Sequence, residues 1–509
     1  MVKELLFYGD DVLIYDFPEE VDIIYPNAPI PSPKDAEKIV EEAIDQPIGT
    51  DTLDEILNKN SKVVIAFDDV SVPLPLPKSD PRKAMALTVL KRLKKIGIPR
   101  DNILFICATG LHRKCTIPEL KELLGEEIVS NYKVICHDAE DKKNILSLGE
   151  TESGYSVEIN RHAAEADLLI YLSVVFVPMN GGWKSIVVGL GTYKSIREHH
   201  IPQVLGRGSY MDIQRSHMHK IIWEMGRHIE GSGIKVFQVE TVLNNDFYSG
   251  FFQYLWKKLK GKNVTLTRKL LLKFIKIFPQ SVKSFVRKRY RSSYQLVFSL
   301  AGHPEKIHPS ILEMVKRQNN VIVNKRYDLL IYGLPNLSPY SVNSNMNPIL
   351  FHTVVNGYLY NLYNNKPLLK DKGIIIVQNP LYETFDEKQH VAYKYLYFNY
   401  FLKGRTSYEE LNSAEQELVN NREFIREYRE GTAYHPAHSV IAYYWGTLGL
   451  ENVGKIIVSG AVDKRPAEAL GYLTTQNLDQ AINLAREYLG SNASIAYVAL
   501  PPIFVTEVK

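Results

Sequence analysis

The chain has 509 residues, which is too long for one hydrophobic core, so we predict at least two domains. Apolar residues make up 45% and charged residues 23% of the sequence, proportions typical of a folded globular protein rather than a disordered or fibrous one. The formal net charge is only +4, so the sequence lacks the strong positive field of nucleic-acid-binding proteins, and no nucleic acid is expected as a partner.

The first sixty residues are predicted to have only a structural role, and we assign them no chemistry. Two alternating runs at 4–8 and 11–15 are joined by Gly9-Asp10 and predict a β-hairpin. A proline-rich connection follows, and helical spacing of apolar residues runs from 33 to 44.

The next region repeats one pattern three times: a buried β-type run that ends in polar residues. The run 62–67 ends in Asp68-Asp69, the run 102–107 leads into Ala-Thr-Gly-Leu-His-Arg at 108–113, and the run 132–136 leads into His137-Asp138. Between the first two runs, residues 80–98 begin with Asp and Pro and continue with helical spacing. Strand, helix and strand in this order predict a parallel sheet that carries a site along one edge.

A fourth apolar run, at 167–177, adds a glycine-rich loop to the same edge of the sheet. Gly181-Gly182 allows a sharp turn or a close backbone approach, and Lys184 follows with an amine that a dry site would make nucleophilic. Sixteen residues after Lys184 stands His200, a metal-ligand type of residue, preceded by His199. Taken alone, a lysine after two glycines more often contacts a phosphate or simply follows a turn.

Residues 257–291 hold thirteen Lys or Arg and no Asp or Glu, so the remainder of the chain carries −9. Apolar residues such as Leu270, Phe274 and Phe278 are interleaved with these cations. Such a stretch is compatible with a solvated helical insertion, an anionic membrane surface, a nucleic-acid contact or a lid over an anionic ligand. Of these, a helical insertion packed on its own domain is the simplest interpretation, with contact to an anionic membrane second.

A second α/β unit is predicted from about residue 325. Strand-like runs at 327–334, 373–380, 454–461 and 494–500 alternate with helical patterns at 348–363, 408–429 and 478–489. We therefore expect an α/β protein with two α/β domains, largely parallel sheets and the active site in the cleft between them. The expected boundaries are 1–245 for a cofactor-binding domain, 246–324 for a basic insertion or linker, and 325–509 for the C-terminal domain.

The three cysteines, Cys107, Cys115 and Cys136, have no C-x-x-C spacing, which argues against a disulfide framework or a thiolate zinc site. No run of about 18 apolar residues occurs, and the N-terminus has no signal-peptide core. We therefore expect a cytoplasmic protein.

Several polar residues have both a structural and a functional interpretation. Asp68-Asp69 fits a helix cap as well as a magnesium site, and His137-Asp138 fits local hydrogen bonding as well as a nucleotide contact. The histidine pairs at 217 and 219 and at 435 and 438 have metal-compatible spacing but no evident third ligand, so a structural role is expected for both. His112 lies beside a phosphate-type turn, and an imidazole is the side chain best suited to act as a general base near neutral pH.

Three of these segments together resemble the nickel-dependent lactate racemase family, whose cofactor is a nickel-pincer nucleotide. Residues 181–184 are similar to the family's lysine segment, residues 195–200 to its histidine segment, and residues 108–113 to its Ala-Thr-Gly-x-His-Arg element. Asp68-Asp69-Val70-Ser71 resembles its Asp-Asp-x-Thr-Arg element, and residues 325–509 resemble its C-terminal domain. The basic insertion and the tyrosine-rich middle of the chain are not covered.

The resemblance implies a racemase or epimerase that moves a hydride from a 2-hydroxy acid to the cofactor while histidines manage the hydroxyl proton. It implies Lys184 as the covalent tether of the cofactor and His200 as the nickel ligand. His112, Lys184 and His199 are the implied catalytic residues. The implied cofactor-binding residues are Asp69, Ser71, Thr109, Gly110, Arg113, Gly181, Gly182 and Lys184.

The sequence departs from the family pattern at two functional positions. Val72 stands where the family has the arginine that binds the substrate carboxylate, and Met179 stands where it has a second catalytic histidine. A methionine cannot carry a proton, and His199 is the substitute that the sequence offers. We therefore expect a 2-hydroxy acid other than lactate as the substrate; the alternative is a non-catalytic relative that binds a nucleotide or metal.

Overall fold

The computed structural model describes residues 1–509 and has a mixed α/β fold with largely parallel sheets. Its nineteen strands are β1 (Val2–Tyr8), β2 (Asp11–Phe17), β3 (Val21–Ile24), β4 (Val63–Asp68), β5 (Ile103–Ala108), β6 (Lys133–Cys136), β7 (Ile145–Glu150), β8 (Ser156–Asn160), β9 (Leu168–Val175), β10 (Val236–Leu243), β11 (Leu296–Gly302), β12 (Asn320–Val323), β13 (Tyr327–Gly333), β14 (Tyr363–Asn364), β15 (Leu369–Gln378), β16 (Lys455–Ser459), β17 (Leu473–Thr475), β18 (Ile495–Val498) and β19 (Val505–Val508).

Helices fill most of the connections between these strands. They are α1 (Ala36–Asp45), α2 (Leu53–Ile56), α3 (Pro81–Ile96), α4 (Ile117–Leu124), α5 (Glu126–Asn131), α6 (Arg161–Ala164), α7 (Trp183–Gly189), α8 (Tyr193–His199), α9 (Pro202–Leu205), α10 (His217–Gly231), α11 (Gly250–Trp256), α12 (Leu266–Ile277), α13 (Gln280–Arg289), α14 (Pro304–Asn319), α15 (Pro348–His352), α16 (Val391–Asn399), α17 (Tyr408–Asn420), α18 (Arg422–Glu430), α19 (His438–Tyr444), α20 (Thr447–Asn452), α21 (Arg465–Ala469) and α22 (Leu478–Leu489).

The first large sheet has six strands in the order β11-β10-β9-β4-β5-β6. All neighbours are parallel except β10 and β11, which pair antiparallel. Every residue of β9 is buried, which explains its continuous apolar sequence, because helices cover both faces of a parallel sheet. The chain order reverses between β4 and β9, and such a switch point leaves a crevice at the carboxyl ends of the strands.

The second large sheet also has six strands, in the order β17-β16-β15-β13-β18-β3, and all its neighbours are parallel. It recruits β3 from the N-terminal region, whereas β11, at 296–302, belongs to the first sheet. The sheets therefore draw strands from distant parts of the chain, and the predicted domain boundaries of 1–245, 246–324 and 325–509 stay a prediction.

Most of the predicted elements are present. The hairpin forms between β1 and β2, and the strand over 236–243 coincides with β10. The helical pattern at 408–429 is divided into α17 and α18, because the Asn421 side chain accepts hydrogen bonds from the first backbone amides of α18. The pattern at 348–363 begins as α15 and continues as a π-helix over Thr353–Leu359.

The basic stretch forms the two helices α12 and α13, which lie against the β1–β2 hairpin. Leu272 is buried there, together with Leu255 of α11 and Leu5 and Phe7 of β1. The helical insertion predicted from the sequence is thus present and packs one face on the protein. None of the helices has the length and apolarity needed to span a bilayer.

Candidate functional site

Polar residues from the ends of β4, β5 and β9 surround a cavity at the switch point of the first sheet, which we call the site cavity. Asp69, His112 and Lys184 line it, and three adjoining compartments all include His112. The largest compartment has a cavity volume of about 220 Å³, and 19 of its 28 lining residues are hydrophobic. Helix α7, the loop 176–180, residues 334–340 and the π-helix contribute walls to it.

Arg82 fixes the chain where β4 enters the site. Its guanidinium is fully buried, pairs with Asp80 at 2.6 Å and donates to the backbone oxygens of Asp68 and Asp69 at 2.9 and 2.5 Å. The Asp68 carboxylate in turn accepts from the backbone N–H of Val174 at 2.7 Å, which ties β4 to β9. Burial raises the pKa of Asp68 to about 6. Asp68 is therefore a structural link between the two strands that carry the site.

Asp69 orients the imidazole of His112. Its Oδ2 lies 2.8 Å from His112 Nδ1, and its Oδ1 accepts from the backbone N–H and the hydroxyl of Ser71 at 2.9 and 2.5 Å. Burial alone would raise the pKa of Asp69, but His112 and the Ser71 hydrogen bonds outweigh it, so the pKa lies below its ordinary value. An ionised Asp69 makes His112 Nδ1 the donor, which leaves Nε2 as the proton acceptor.

Lys184 enters the site cavity from the first turn of α7, just after the two glycines. Gly181 has φ +88°, and a Cβ there would lie 2.8 Å from atoms of Glu240, His308 and Val175, so only glycine fits. The Lys184 amine has no hydrogen-bond partner or ion pair within the chain. Burial lowers its pKa to about 8, although Asp68 acts in the opposite direction. A neutral, nucleophilic form is therefore accessible near neutral pH.

His200, not His199, faces the site cavity. Its ring stacks on Trp445 with centroids 5.4 Å apart, and burial lowers its pKa to about 3, so the imidazole is neutral and able to bind a metal. His199 lies behind it, fully buried, with Nδ1 only 2.7 Å from Nδ1 of His200. Its ring does not line the cavity, and its expected catalytic role stays a prediction.

Other predicted residues have mixed placements. Ser71, Thr109 and Gly181 line the site cavity. Arg113 does not line it: its buried guanidinium pairs with Glu119 at 2.6 and 2.9 Å, and its expected role in cofactor binding stays a prediction.

The two remaining glycines shape the site without lining it. Gly182 donates its N–H to Glu240 at 2.5 Å. Gly110 packs so closely on α7 that a Cβ would lie 2.5 Å from the Val188 carbonyl oxygen. For His137, the sequence was compatible with either local hydrogen bonding or a nucleotide contact. Its ring is buried and hydrogen-bonds the Gly191 carbonyl at 2.8 Å, which agrees with the hydrogen-bonding role.

The structure adds residues that sequence reasoning missed. His438, expected to be structural, lines the site cavity with its ring centroid 5.1 Å from that of His112. Its Nδ1 lies 2.6 Å from the Tyr393 hydroxyl, while its Nε2 has no partner in the chain, and burial holds its pKa well below the ordinary value. Tyr340 packs on both imidazoles. The distance of more than 300 residues between His112 and His438 gave no local sequence signal.

Comparison with known proteins identifies the part of the chain that holds most of these residues. The family described as the lactate racemase N-terminal domain matches residues 8–212. Residues 8–212 of this chain are therefore similar to the N-terminal domain of lactate racemases. The Lactiplantibacillus plantarum lactate racemase is 34% identical over 168 residues, which cover 32% of this chain and 38% of that protein. The Thermoanaerobacterium thermosaccharolyticum lactate racemase is 30% identical over 205 residues, covering 39% and 46%.

The lactate racemase fold extends over the whole chain. The apoprotein of the T. thermosaccharolyticum lactate racemase superposes with a TM-score of 0.64 at 19% identity, covering 99% of both chains. A Thermotoga maritima protein superposes with a TM-score of 0.52 at 13% identity, covering 93% of this chain and 98% of that one. The sequence alignments span less than half of each curated lactate racemase, so the structural likeness beyond residue 212 concerns the fold.

The donor set of the site suits a metal that arrives with its own ligands. No group of three or more His, Cys, Asp or Glu side chains is arranged to hold a metal ion. His200 nevertheless presents a neutral imidazole to the cavity that also receives the unpaired Lys184 amine. A lysine-tethered cofactor that supplies the other donor atoms fits these two residues, whereas a bare ion held by the protein alone does not.

Proposed function

We propose that the protein is a racemase or epimerase of a 2-hydroxy acid other than lactate, dependent on a lysine-tethered nickel-pincer nucleotide. The supporting observation is that the Asp69–His112 pair and the partner-free Lys184 amine open onto one cavity. Lys184 would tether the cofactor and His200 would ligate its nickel. When bound, this cofactor supplies a hydride acceptor.

The residues of the chain would manage binding and proton transfer. His112 Nε2 takes the hydroxyl proton of the substrate, and Asp69 stabilises the imidazolium that forms. His438 offers a second neutral imidazole on the same cavity, in place of the histidine replaced by Met179. The apolar walls exclude water from the reacting carbon.

The substrate preference follows from what lines the cavity. No arginine lines any compartment of it, and Val72 occupies the wall where the family resemblance implies one. The Asn180 side-chain oxygen accepts from the backbone N–H of Val177, which leaves its NH₂ group to donate to a carboxylate. An amide binds a carboxylate less strongly than a guanidinium does, so more of the binding energy must come from the apolar part of the substrate.

Intact-mass and metal analysis of protein from a host that makes the pincer nucleotide tests this function. We expect one nickel per chain and a nucleotide-sized adduct, both lost in Lys184→Ala and retained in the control Lys194→Ala, whose side chain is 61% exposed. Absence of both from the unmodified protein would overturn the proposal. An adduct without turnover of any 2-hydroxy acid would favour the alternative, a non-catalytic nucleotide-binding relative.

The three free cysteines support a reducing cytoplasm as the place of action.

A further inference from the structure

A second apolar cavity, of about 240 Å³, lies between the β1–β2 hairpin and helices α11–α13, and we call it the helical cavity. Thirteen of its 19 lining residues are hydrophobic. Ion pairs close one side of it: Arg287 Nε lies 2.6 Å from Asp10, and Lys283 Nζ lies 2.8 Å from Asp11. Its cations are therefore neutralised within the protein, and what remains for a ligand is the apolar wall.

The helical cavity adjoins the site cavity. Phe247, Pro335 and Leu337 line both of them. A ligand whose polar end lies at Lys184 and His112 would therefore find apolar walls continuing past Leu337 to α12 and α13. A lactate methyl group would contact only a small part of this space, and an unfilled apolar cavity costs contacts that a longer ligand supplies.

We propose that the substrate is a 2-hydroxy acid with a long aliphatic chain, which extends from the site cavity into the helical cavity. The chemical class of the head group rests on the proposed function, whereas the chain site rests on the two adjoining cavities. Each buried methylene should strengthen binding about three- to fourfold until the apolar space is filled.

The test is calorimetric titration of the purified chain with 2-hydroxybutanoic, 2-hydroxyoctanoic and 2-hydroxyhexadecanoic acids, all below their micelle concentrations. We expect the eight-carbon acid to bind on the order of 100-fold more tightly than the four-carbon acid, and the sixteen-carbon acid more tightly again. Val286→Trp adds bulk at the wall of the helical cavity and should weaken only the longest acid, by tenfold or more. Phe285→Trp, on the exposed face of the same helix, should change nothing.

Equal affinities along the series would overturn the proposal, as would a Val286→Trp variant that affects all three acids alike. The outcome is separable from that of the proposed function. A nickel adduct on Lys184 without any chain-length dependence leaves the function standing and removes the long-chain substrate. Chain-length-dependent binding without any adduct does the reverse.

The outer surface of the same helices carries exposed apolar side chains flanked by cations. Leu266, Leu270, Phe274 and Ile277 form one stripe along α12 and are 58% to 80% exposed, and Phe285 of α13 is 58% exposed. Of the thirteen cations at 257–291, Lys258, Arg268, Lys283, Arg287 and Arg291 bind groups within the protein. The side chains of the other eight have neither an ion pair nor a hydrogen bond in the chain.

We infer that α12 and α13 dock on an anionic lipid bilayer, with the apolar stripe in the interface and the unpaired lysines at the headgroups. Apolar side chains flanked by cations match such a surface, and each cation near anionic lipid contributes to binding. The positive charge favours an anionic bilayer over a protein partner with a neutral groove. The exposed leucine and phenylalanine side chains favour the bilayer over a nucleic acid.

Sedimentation with vesicles tests this surface. We expect the protein to pellet with phosphatidylcholine vesicles that contain one quarter phosphatidylglycerol, and not with phosphatidylcholine alone. Lys269, Lys273 and Lys276 together changed to Gln, or Leu270→Ser with Phe274→Ser, should reduce binding at least tenfold. The control changes the exposed and unpaired Lys59, Lys94 and Lys95 to Gln. No pelleting, lipid binding that ignores charge, or preferential binding of nucleic acid would overturn the inference.

Discussion

Asp69 and His112 come from the ends of two neighbouring parallel strands, and a 2.8 Å hydrogen bond joins the Asp69 carboxylate to Nδ1 of the imidazole. The pair is built by the parallel register of β4 and β5, which sets Asp68 opposite Ala108. Because Ser71 and the buried Arg82 hold Asp69 in place, the imidazole has one orientation and one tautomer before any ligand binds.

Asp69→Asn should abolish that tautomer preference, since an amide can donate as well as accept. We expect the rate of 2-hydroxy acid interconversion to fall by about 10²- to 10⁴-fold, as for other general bases deprived of their carboxylate. Chiral chromatography of the product measures the rate, and ¹⁵N shifts of the His112 ring report the tautomer. Asp101→Asn, at an exposed position, is the control. A tautomer and a rate unchanged in Asp69→Asn would contradict this role.

Lys184→Met should stabilise the protein at neutral pH. The pKa of Lys184 is lowered from its ordinary 10.5 to about 8 because burial disfavours the ammonium ion. The resulting penalty is complete below pH 8, shrinks between pH 8 and 10.5, and vanishes above that range. We expect a gain of about 1 to 3 kcal/mol in the free energy of unfolding at pH 7 and a clearly smaller gain at pH 10. Urea unfolding measures both values.

Lys194→Met is the matched control for that measurement, because Lys194 is largely exposed. Its unfolding free energy should change little and should show no such pH dependence. An equal gain for Lys184→Met at both pH values would indicate that better packing, and not loss of a buried charge, is responsible.

The sequence predicted the first sheet and its polar edge well, because its strands are buried apolar runs that end at recognisable polar residues. It predicted Asp69, His112, Lys184 and His200 at one site, and the structure brings these four together. The motif alone does not reveal that Glu119, in the first turn of α4, pairs with Arg113, whose expected role in cofactor binding stays a prediction. His199, the last residue of α8, does not line the cavity, and its expected catalytic role stays a prediction.

The parts that sequence could not supply depend on contacts between distant segments. His438 reaches His112 only because α19 packs beside the β5 loop, and the histidine spacing at 435 and 438 suggested a structural pair. The helical cavity is likewise lined by three segments that are far apart in the sequence, within 7–12, 247–290 and 335–337. Amphipathic spacing at 257–291 predicted helices, but it did not reveal how much of their apolar face stays uncovered.

Arg82→Met should destabilise the protein strongly, by about 3 to 5 kcal/mol, because it leaves the buried Asp80 carboxylate unpaired and two backbone oxygens without donors. Chemical unfolding measures the loss. The exposed Arg426→Met should cost less than about 1 kcal/mol. Adding Asp80→Asn to Arg82→Met should recover part of the loss, and failure to do so would show that the charge pair is not its main source.

His438→Gln tests whether the second imidazole of the site cavity handles protons. Burial among other histidines keeps the pKa of His438 well below its ordinary value, so its imidazole is neutral at neutral pH. In the tautomer whose Nδ1 donates to the Tyr393 hydroxyl, Nε2 is a proton acceptor. We expect kcat to fall at least tenfold with a smaller change in KM. The fall in kcat should be larger for one enantiomer of the substrate, because a single imidazole is not equally well placed for the hydroxyl groups of both enantiomers.

The matched control is His435→Gln, three residues earlier in the chain and just before α19. His435 is buried against Glu140 at 3.0 Å and does not line the site cavity, so its loss should lower stability and leave the kcat ratio between enantiomers unchanged. Equal effects of the two substitutions on that ratio would assign His438 to packing alone. His112 would then be the one proton-transferring residue of the site, and both enantiomers would have to present their hydroxyl groups to the same imidazole.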